Sequence, residues 1–190
     1  MMETMKNMSI MNRRKEDIME LRDRIKYNVV KDFPNKGVTF VDFMPTFMDI
    51  SLMDEISSAI YSLIDKSKID YIVMPESRGY ILGSFVANKY HTNPLPIRKR
   101  GKLPKECVQD SYTYQTEYSQ ETLDLPNVDL KDKFCFFIDD VYALGGTYYA
   151  CERLVEKAGG KMLGGACLYN VGLNDNPRIF TFLNNKDIKD

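Results

Sequence analysis

The chain has 190 residues, 44% hydrophobic and 28% charged, which is typical of one globular domain with a buried core. Its 26 lysines and arginines nearly balance 27 aspartates and glutamates, so no overall field favours nucleic acid, and ligands must be sought at local sites. No apolar run has the length of a signal-peptide core or of a membrane span, which predicts a protein that is neither secreted nor bound to a membrane.

Cysteine and histidine usage points away from disulfides and structural zinc. The four cysteines lie far apart without a CxxC pair, which favours reduced thiols in a cytoplasm. The single histidine, His91, has no cysteine or acidic residue at metal-ligand spacing, so we expect an exposed loop position before Pro94 rather than a zinc ligand.

The elements alternate between helix and strand along the chain. The first 14 residues lack periodicity and are predicted to be a disordered extension, followed by a single domain over residues 15–190. Helices are predicted at 15–30, 53–66, 78–90 and 147–157, and strands at 69–75, from 93 into a basic loop ending at 104, at 133–140 and at 162–171. Residues 105–125 are predicted to form a mobile loop or an exposed hairpin. This order predicts an α/β fold with a mostly parallel central sheet and helices on both faces, whose ligands bind beyond the carboxyl ends of the strands.

The stretch "FFIDDVYALGGTYYA", residues 136–150, carries the strongest chemical pattern. An apolar strand delivers Asp139 and Asp140 to its end, and a glycine pair opens the next helix. Amides at a helix N-terminus bind phosphate, and carboxylates accept hydrogen bonds from vicinal hydroxyls, so the two features suit a sugar with a terminal phosphate. The alternative is an ordinary capped turn beside two solvated aspartates.

This stretch resembles the motif with which type I phosphoribosyltransferases bind phosphoribosyl pyrophosphate (PRPP). The resemblance implies that Asp139 and Asp140 meet the ribose hydroxyls, and that the next loop wraps the 5-phosphate through Ala143, Leu144, Gly145, Gly146 and Thr147. Since two carboxylates make no complete cage, Mg²⁺ is expected to be carried by oxygen atoms of PRPP rather than held by a protein site.

Two further motifs supply cations. In "PESRGY", residues 75–80, Glu76 and Ser77 could simply cap a helix, but a guanidinium at Arg78 suits a diphosphate. The motif resembles the signature of adenine phosphoribosyltransferases. The run "RKRGKLP", residues 98–104, could be a solvated face, yet it resembles the basic loop of the same family. That resemblance implies that Lys99 and Lys102 contact pyrophosphate in the same subunit. It also implies that Arg98 reaches toward the neighbouring subunit, and therefore that the protein is a homodimer.

The last two motifs concern the base. "SYTYQTEYSQETLDL", residues 111–125, resembles the flexible loop that covers the active site in this family, and Glu117 and Tyr118 match its glutamate–tyrosine pair. Glu117 is then the candidate for the nitrogen proton of the base, the alternative being a solvated loop residue. "FPNKGVTFVDF", residues 33–43, resembles a small hood segment, where Thr39 and Phe40 contact the base and Phe40 stacks on it, unless Phe40 is simply core.

The resemblance implies purine salvage: adenine and PRPP give AMP and pyrophosphate. The alternatives are another purine base, or a PRPP or nucleotide regulator with weak catalysis. Four departures from the family pattern concern these alternatives: Leu144 replaces a threonine, Val41 an arginine and Ser119 a glycine, and the loop is two residues longer before Tyr114. Leu144 removes a hydroxyl from the phosphate loop and therefore predicts weaker PRPP binding.

Overall fold

The computed structural model describes residues 18–64, 68–115 and 120–189. These fall into two compact units divided after Ala59, each treated separately below. The extension predicted at residues 1–14 lies outside the described residues, and the single domain from residue 15 stays a prediction.

The first unit holds a two-stranded antiparallel sheet among short helices. Its elements are α1 (residues 18–24), β1 (Asn28–Lys31), β2 (Thr39–Asp42), α2 (Met44–Phe47) and α3 (Ile50–Leu63), whose last residues belong to the second unit. The prediction of one helix through residue 30 is wrong, because Val29 and Val30 pair with Val41 and Phe40 across the sheet. Valines are stiff at χ1 and fit a pleated strand better than a helix.

Helix α3 begins three residues before the predicted start at Met53. The Asp49 carboxylate accepts a hydrogen bond from the Leu52 backbone N–H at 3.1 Å, which caps the helix at this earlier position. Ile56, on the predicted apolar face of the helix, is fully buried.

The second unit is a seven-stranded sheet that carries one helix on each face. Its strands lie in the order β5-β6-β4-β3-β7-β8-β9. Five of them run parallel, and β5 and β6 form an antiparallel hairpin at one edge. The bounds are β3 (Tyr71–Pro75), α4 (Gly79–Tyr90), β4 (Asn93–Lys99), a 3₁₀ turn (Lys105–Cys107), β5 (Val108–Gln115), β6 (Gln120–Pro126), β7 (Phe134–Tyr142), α5 (Gly146–Lys157), β8 (Lys161–Asn170) and β9 (Ile179–Asn184). The predicted α/β class is confirmed, while β9 was not predicted.

Helices α4 and α5 pack on opposite faces of the sheet, as two successive side chains of β3 show, since successive side chains of a strand point to opposite faces. Val73 faces α5 and joins the core that contains Leu154 and Val155. Met74 faces α4, where a Cβ at Gly83 would lie 2.7 Å from Met74 Cβ, so glycine allows helix and strand to approach closely. No helix of the described ranges has the length and apolarity to cross a bilayer.

In the segment predicted as a mobile loop or an exposed hairpin, the described strands β5 and β6 pair antiparallel as a hairpin, and β6 is buried in its second half. Leu123 and Leu125 of β6 are almost fully buried. The cause is the pairing of β6 with β4, in which Asp124 lies opposite Arg98 and Leu123 opposite Lys99. The basic loop after β4 therefore starts beside this hairpin, at the carboxyl end of the parallel strands.

Candidate active site

The acidic pair lies within β7 and not at its last residues as predicted, since that strand continues two residues further, to Tyr142. Asp140 is only 2% exposed, so the alternative of two solvated aspartates is wrong for this residue. Asp139 Oδ1 accepts a hydrogen bond from the Asp140 backbone N–H at 2.9 Å. Asp140 Oδ2 is buried and accepts no hydrogen bond from the described residues. A buried acceptor in this state suits a ligand that brings donors.

Arg78 supplies positive charge to this pair from the start of α4. Its Nε lies 3.0 Å from Asp140 Oδ2, an ion pair whose geometry is not that of a hydrogen bond. Burial raises the pKa of Asp139, the negative charge of Asp140 raises it further, and Arg78 opposes both effects. Burial likewise raises the pKa of Asp140, again against Arg78. The site thus holds more negative charge than its single arginine balances.

Gly79 makes this close approach of α4 to β7 possible. A Cβ at this position would lie 2.7 Å from Pro75 Cδ and 3.1 Å from Asp139 Oδ1. A larger residue would push the start of the helix, and Arg78 with it, away from the aspartates. The signature around Arg78 therefore needs its glycine for packing.

The turn between β7 and α5 has the features of a phosphate site. Gly145 precedes the helix in the left-handed region at φ 82°, and no side chain caps the helix there. Uncapped amides of a helix N-terminus bind anions. Asn174 Nδ2 donates to the Leu144 carbonyl at 3.0 Å and so braces the turn from the segment before β9. A cavity of about 80 Å³ opens here, and Gly145, Gly146 and Thr147 are among its lining residues.

Most cations of the basic run, residues 98–104, are paired with carboxylates. Glu76 Oε2 accepts hydrogen bonds from Arg98 Nε and from the Lys99 backbone N–H, both at 3.0 Å. Lys99 Nζ lies 3.1 Å from Glu121 Oε2, and Lys102 is exposed in the turn. Arg98 and Lys99 are thus held at the end of β4, beside the start of α4.

Glu76 does not cap α4, as the sequence had allowed, because no side chain caps this helix. It ties β3 to the end of β4 instead. Burial raises the pKa of Glu76, but the hydrogen bonds from Lys99 N–H and Arg98 outweigh it and leave the pKa below its usual value. Glu76 is therefore an anion that fixes the basic loop.

The base-site candidates are placed only in part. Glu117 and Tyr118 lie outside the described residues. In the first unit, Thr39 is exposed and Phe40 is half-buried, with its ring edge-to-face against Phe33 at a centroid distance of 5.3 Å. Phe40 is therefore not a fully buried core residue, whereas Val41, beside it, is 4% exposed.

Side chains that could bind a metal are sparse in the part of the chain that the structure describes. The described residues contain no group of three or more histidines, cysteines, aspartates or glutamates that could hold an ion. His91 is exposed at the end of α4, as predicted, and the four cysteines are free thiols. Asp139 and Asp140 are two hard oxygen ligands, which fits Mg²⁺ only if the ligand and water complete its coordination.

Sequence reasoning missed several side chains that shape the site. Glu76 and Glu121 hold the basic residues, and Asn174 holds the phosphate turn. Asp124 is 2% exposed and binds Arg100 Nε at 3.2 Å and Ser111 Oγ at 2.7 Å. Only Asp124 carried a signal, as a lone carboxylate between two leucines of a buried strand.

Comparison with known proteins gives a consistent result. No family model matches the chain. It is 40% identical over 153 residues to adenine phosphoribosyltransferase from Petrotoga mobilis, covering 79% of this chain and 87% of the relative. The enzyme of that name from Nitrosopumilus maritimus is 37% identical over 147 residues, or 77% and 84% of the two chains. The crystal structure of adenine phosphoribosyltransferase from Saccharomyces cerevisiae, complexed with an imino-altritol bisphosphate and adenine, superposes with a TM-score of 0.78 and 30% identity, over 86% of this chain and 99% of that one.

The superposition and the placement of the site at the carboxyl ends of β3, β4 and β7 define the class: this is the type I phosphoribosyltransferase fold, and the chain is a pentosyltransferase. Within that class, both relatives named above are adenine phosphoribosyltransferases. The chain belongs to the adenine phosphoribosyltransferase family.

Proposed function

We propose that the chain transfers ribose 5-phosphate from PRPP to adenine and releases AMP and pyrophosphate, a reaction of purine salvage. The observation that carries the proposal is the acidic pair of half-buried Asp139 and buried Asp140, placed shortly before an uncapped helix N-terminus at Gly146. Adenine as the base follows from the relatives that cover most of the chain.

The sugar and its phosphate would be held at two ends of one short segment. Ionised carboxylates only accept hydrogen bonds, so Asp139 and Asp140 would bind the two ribose hydroxyls, and Asp140 Oδ2 has capacity for one of them. The backbone amides of residues 143–147 and the Thr147 hydroxyl would bind the 5-phosphate, as anions bind at helix N-termini. This fixes the anomeric carbon between the two anchors.

The leaving pyrophosphate requires cations nearby. Arg78, Lys99 and Lys102 would take up the charge that grows as the bond to the anomeric carbon stretches, and losing one such contact costs about 3 kcal/mol in comparable sites. Arg98 would reach toward the neighbouring subunit of a homodimer; in the single chain it donates to Glu76.

Mg²⁺ would be bound by oxygen atoms of PRPP, with Asp139 or Asp140 as the protein carboxylates that fit it. When bound, the ion would supply neutralising charge for the pyrophosphate oxygens. The role of the protein would be to hold the donor on its two anchors.

The base would enter as the pyrophosphate departs. Thr39 and Phe40 would contact it, and Glu117, with Tyr118 beside it, would take up its nitrogen proton. These last two roles rest on the sequence motif. We also propose a cytoplasmic location, which fits the free thiols of the chain.

Incubation with PRPP, Mg²⁺ and adenine, guanine, hypoxanthine or xanthine tests the proposal. We expect AMP as the only nucleotide product, measured by chromatography together with pyrophosphate release. If another base reacts in place of adenine, the protein is still a phosphoribosyltransferase, but the proposal of adenine as its substrate is wrong. Binding of PRPP with no turnover of any base would favour the regulator and overturn the proposed enzyme.

A further inference from the structure

The end of hairpin strand β5 contacts the phosphate turn, chiefly through Tyr114. The Tyr114 hydroxyl, near the end of β5, lies 3.1 Å from Thr147 Oγ1 in the first turn of α5. A Cβ at Gly146 would lie 2.8 Å both from Tyr114 Cδ2 and from the Gln115 carbonyl oxygen. Tyr114 also lines the cavity formed by the turn. The hairpin strand is therefore packed directly against the backbone that would bind phosphate.

The Thr147 hydroxyl is the main side-chain group with which this turn could bind phosphate. Among residues 143–147, "ALGGT", Thr147 carries the only side-chain hydrogen-bond donor. Leu144 contributes none, and its side chain is 43% exposed. Apart from backbone amides, the turn thus depends on one hydroxyl, and the direction of its proton decides whether it can bind an anion.

A bound phosphate fixes that direction. In the ligand-free protein either oxygen of the Tyr114–Thr147 pair can be the donor. A phosphate dianion only accepts, so Thr147 must point its proton at the phosphate, and its oxygen can then accept from Tyr114. Burial raises the pKa of Tyr114 to about 12, so the phenol keeps its proton at neutral pH. Hydrogen bonds aligned in such a chain strengthen one another.

We propose that Tyr114 is a positioning residue for the donor, which fixes the Thr147 hydroxyl as a hydrogen-bond donor toward the 5-phosphate. The inference rests on the proposed function, which places the phosphate at this turn. It assigns the hairpin strand β5 a part in donor binding that does not involve the base.

Tyr114→Phe tests this role, with Tyr112→Phe as the matched control on the same strand. The dissociation constant of ribose 5-phosphate, measured by calorimetry, and the KM for PRPP should both rise about fivefold in Tyr114→Phe, the factor typical of one neutral hydrogen bond. The kcat and the KM for adenine should stay within about twofold, since the proposed role of Tyr114 involves neither the base nor the reacting atoms. Tyr112→Phe should leave all four values unchanged.

A double mutant separates positioning from general support of the fold. If Tyr114 acts through Thr147, adding Tyr114→Phe to Thr147→Val causes no further loss of affinity, whereas independent roles multiply the two losses. Multiplied losses would overturn the proposal. So would unchanged affinity in Tyr114→Phe, or tighter binding, which would mean that the hairpin competes with phosphate.

The same titrations distinguish this inference from the proposed function. If no AMP forms but Tyr114→Phe still weakens binding of ribose 5-phosphate, the phosphate site stands and the enzyme does not. If the wild type makes AMP and Tyr114→Phe matches it in both affinities, only the role of Tyr114 falls. If the wild type binds neither ribose 5-phosphate nor PRPP, both fall.

Discussion

Asp139→Asn should make the protein more stable and less active. Arg78 Nε lies 3.0 Å from Asp140 Oδ2, and this one guanidinium opposes the negative charge of both half-buried Asp139 and almost fully buried Asp140. Asparagine has the same shape, and its Oδ1 can still accept the Asp140 backbone N–H that Asp139 accepts at 2.9 Å. The substitution therefore removes one negative charge and leaves Asp140 and Arg78 as a balanced pair.

The gain follows from the cost of buried charge. Replacing poorly compensated buried charge by a neutral group of the same shape typically stabilises a protein by about 1–2 kcal/mol at neutral pH. For a chain of this length that corresponds to a rise in Tm of about 2–8 °C. Turnover should fall on the order of 100-fold, because an acceptor for the ribose hydroxyls is lost.

The gain should also depend on pH. The pKa of Asp139 is raised in the folded state, so the unfolded chain loses its proton first as pH rises. The contribution of Asp139 to wild-type stability therefore decreases from the unfolded pKa, at about 4, up to the folded pKa. The variant lacks this carboxyl, so its advantage is small near that lower value and grows toward neutral pH.

Thermal unfolding followed by circular dichroism, between about pH 4.5 and 7.5, measures this difference against the wild type. Asp129→Asn is the matched control, because Asp129 is exposed and also accepts one backbone hydrogen bond, from Lys131 N at 3.0 Å. Its Tm should stay within about 1 °C of the wild type. A Tm of Asp139→Asn that is unchanged or lower at neutral pH, or a difference independent of pH, would refute the reasoning.

Three further substitutions address the loop, the phosphate turn and the hairpin. Glu117→Ala should lower kcat much more than PRPP affinity, and an unchanged rate in steady-state assays removes Glu117 from the mechanism. Leu144→Thr adds a hydroxyl to the turn and should tighten PRPP binding about threefold or more; the control Leu173→Thr, at another exposed leucine, should not, and equal calorimetric affinities for Leu144→Thr and wild type contradict the account. Asp124→Ala leaves the part-buried Ser111 hydroxyl and Gly101 N–H without their acceptor, while Arg100, 62% exposed, turns to water, so denaturant unfolding should show a loss of about 2 kcal/mol. A loss below about 0.5 kcal/mol would mean that water replaces the carboxylate for these donors as well.

Elements with a clear period and clear boundaries could be predicted from the sequence. Strand β3 and helix α4 lie within two residues of their predicted bounds because apolar runs end there at glycine, proline or polar residues. Strand β1 could not, since "NVV" follows directly on a helical pattern and becomes a strand only by pairing with Val41, which lies 12 residues after Val29. Local sequence does not encode such a partner.

Some contacts of the candidate site could likewise be predicted from the sequence, and others could not. That Asp140 and Arg78 lie close together was predictable, since the carboxyl ends of parallel strands meet at one edge of a sheet. That Lys99 pairs with Glu121 was not, because these residues come from separate strands, and only the pairing of β4 with β6 joins them. A run of basic residues in the sequence shows which cations are present, but it does not show which carboxylates form ion pairs with them.

That pairing of the basic loop has a consequence for how a polyanion would be taken up. Lys99 is already paired with Glu121, and Arg98, which would reach toward the neighbouring subunit, is paired with Glu76, so binding of pyrophosphate by either cation would displace a carboxylate. Its affinity would then be the difference between two sets of ionic contacts, both weakened by added salt. We therefore expect the affinity for pyrophosphate to depend less on ionic strength than the number of cations implies. Re-formation of the ion pairs between these cations and their carboxylates should also favour the release of pyrophosphate.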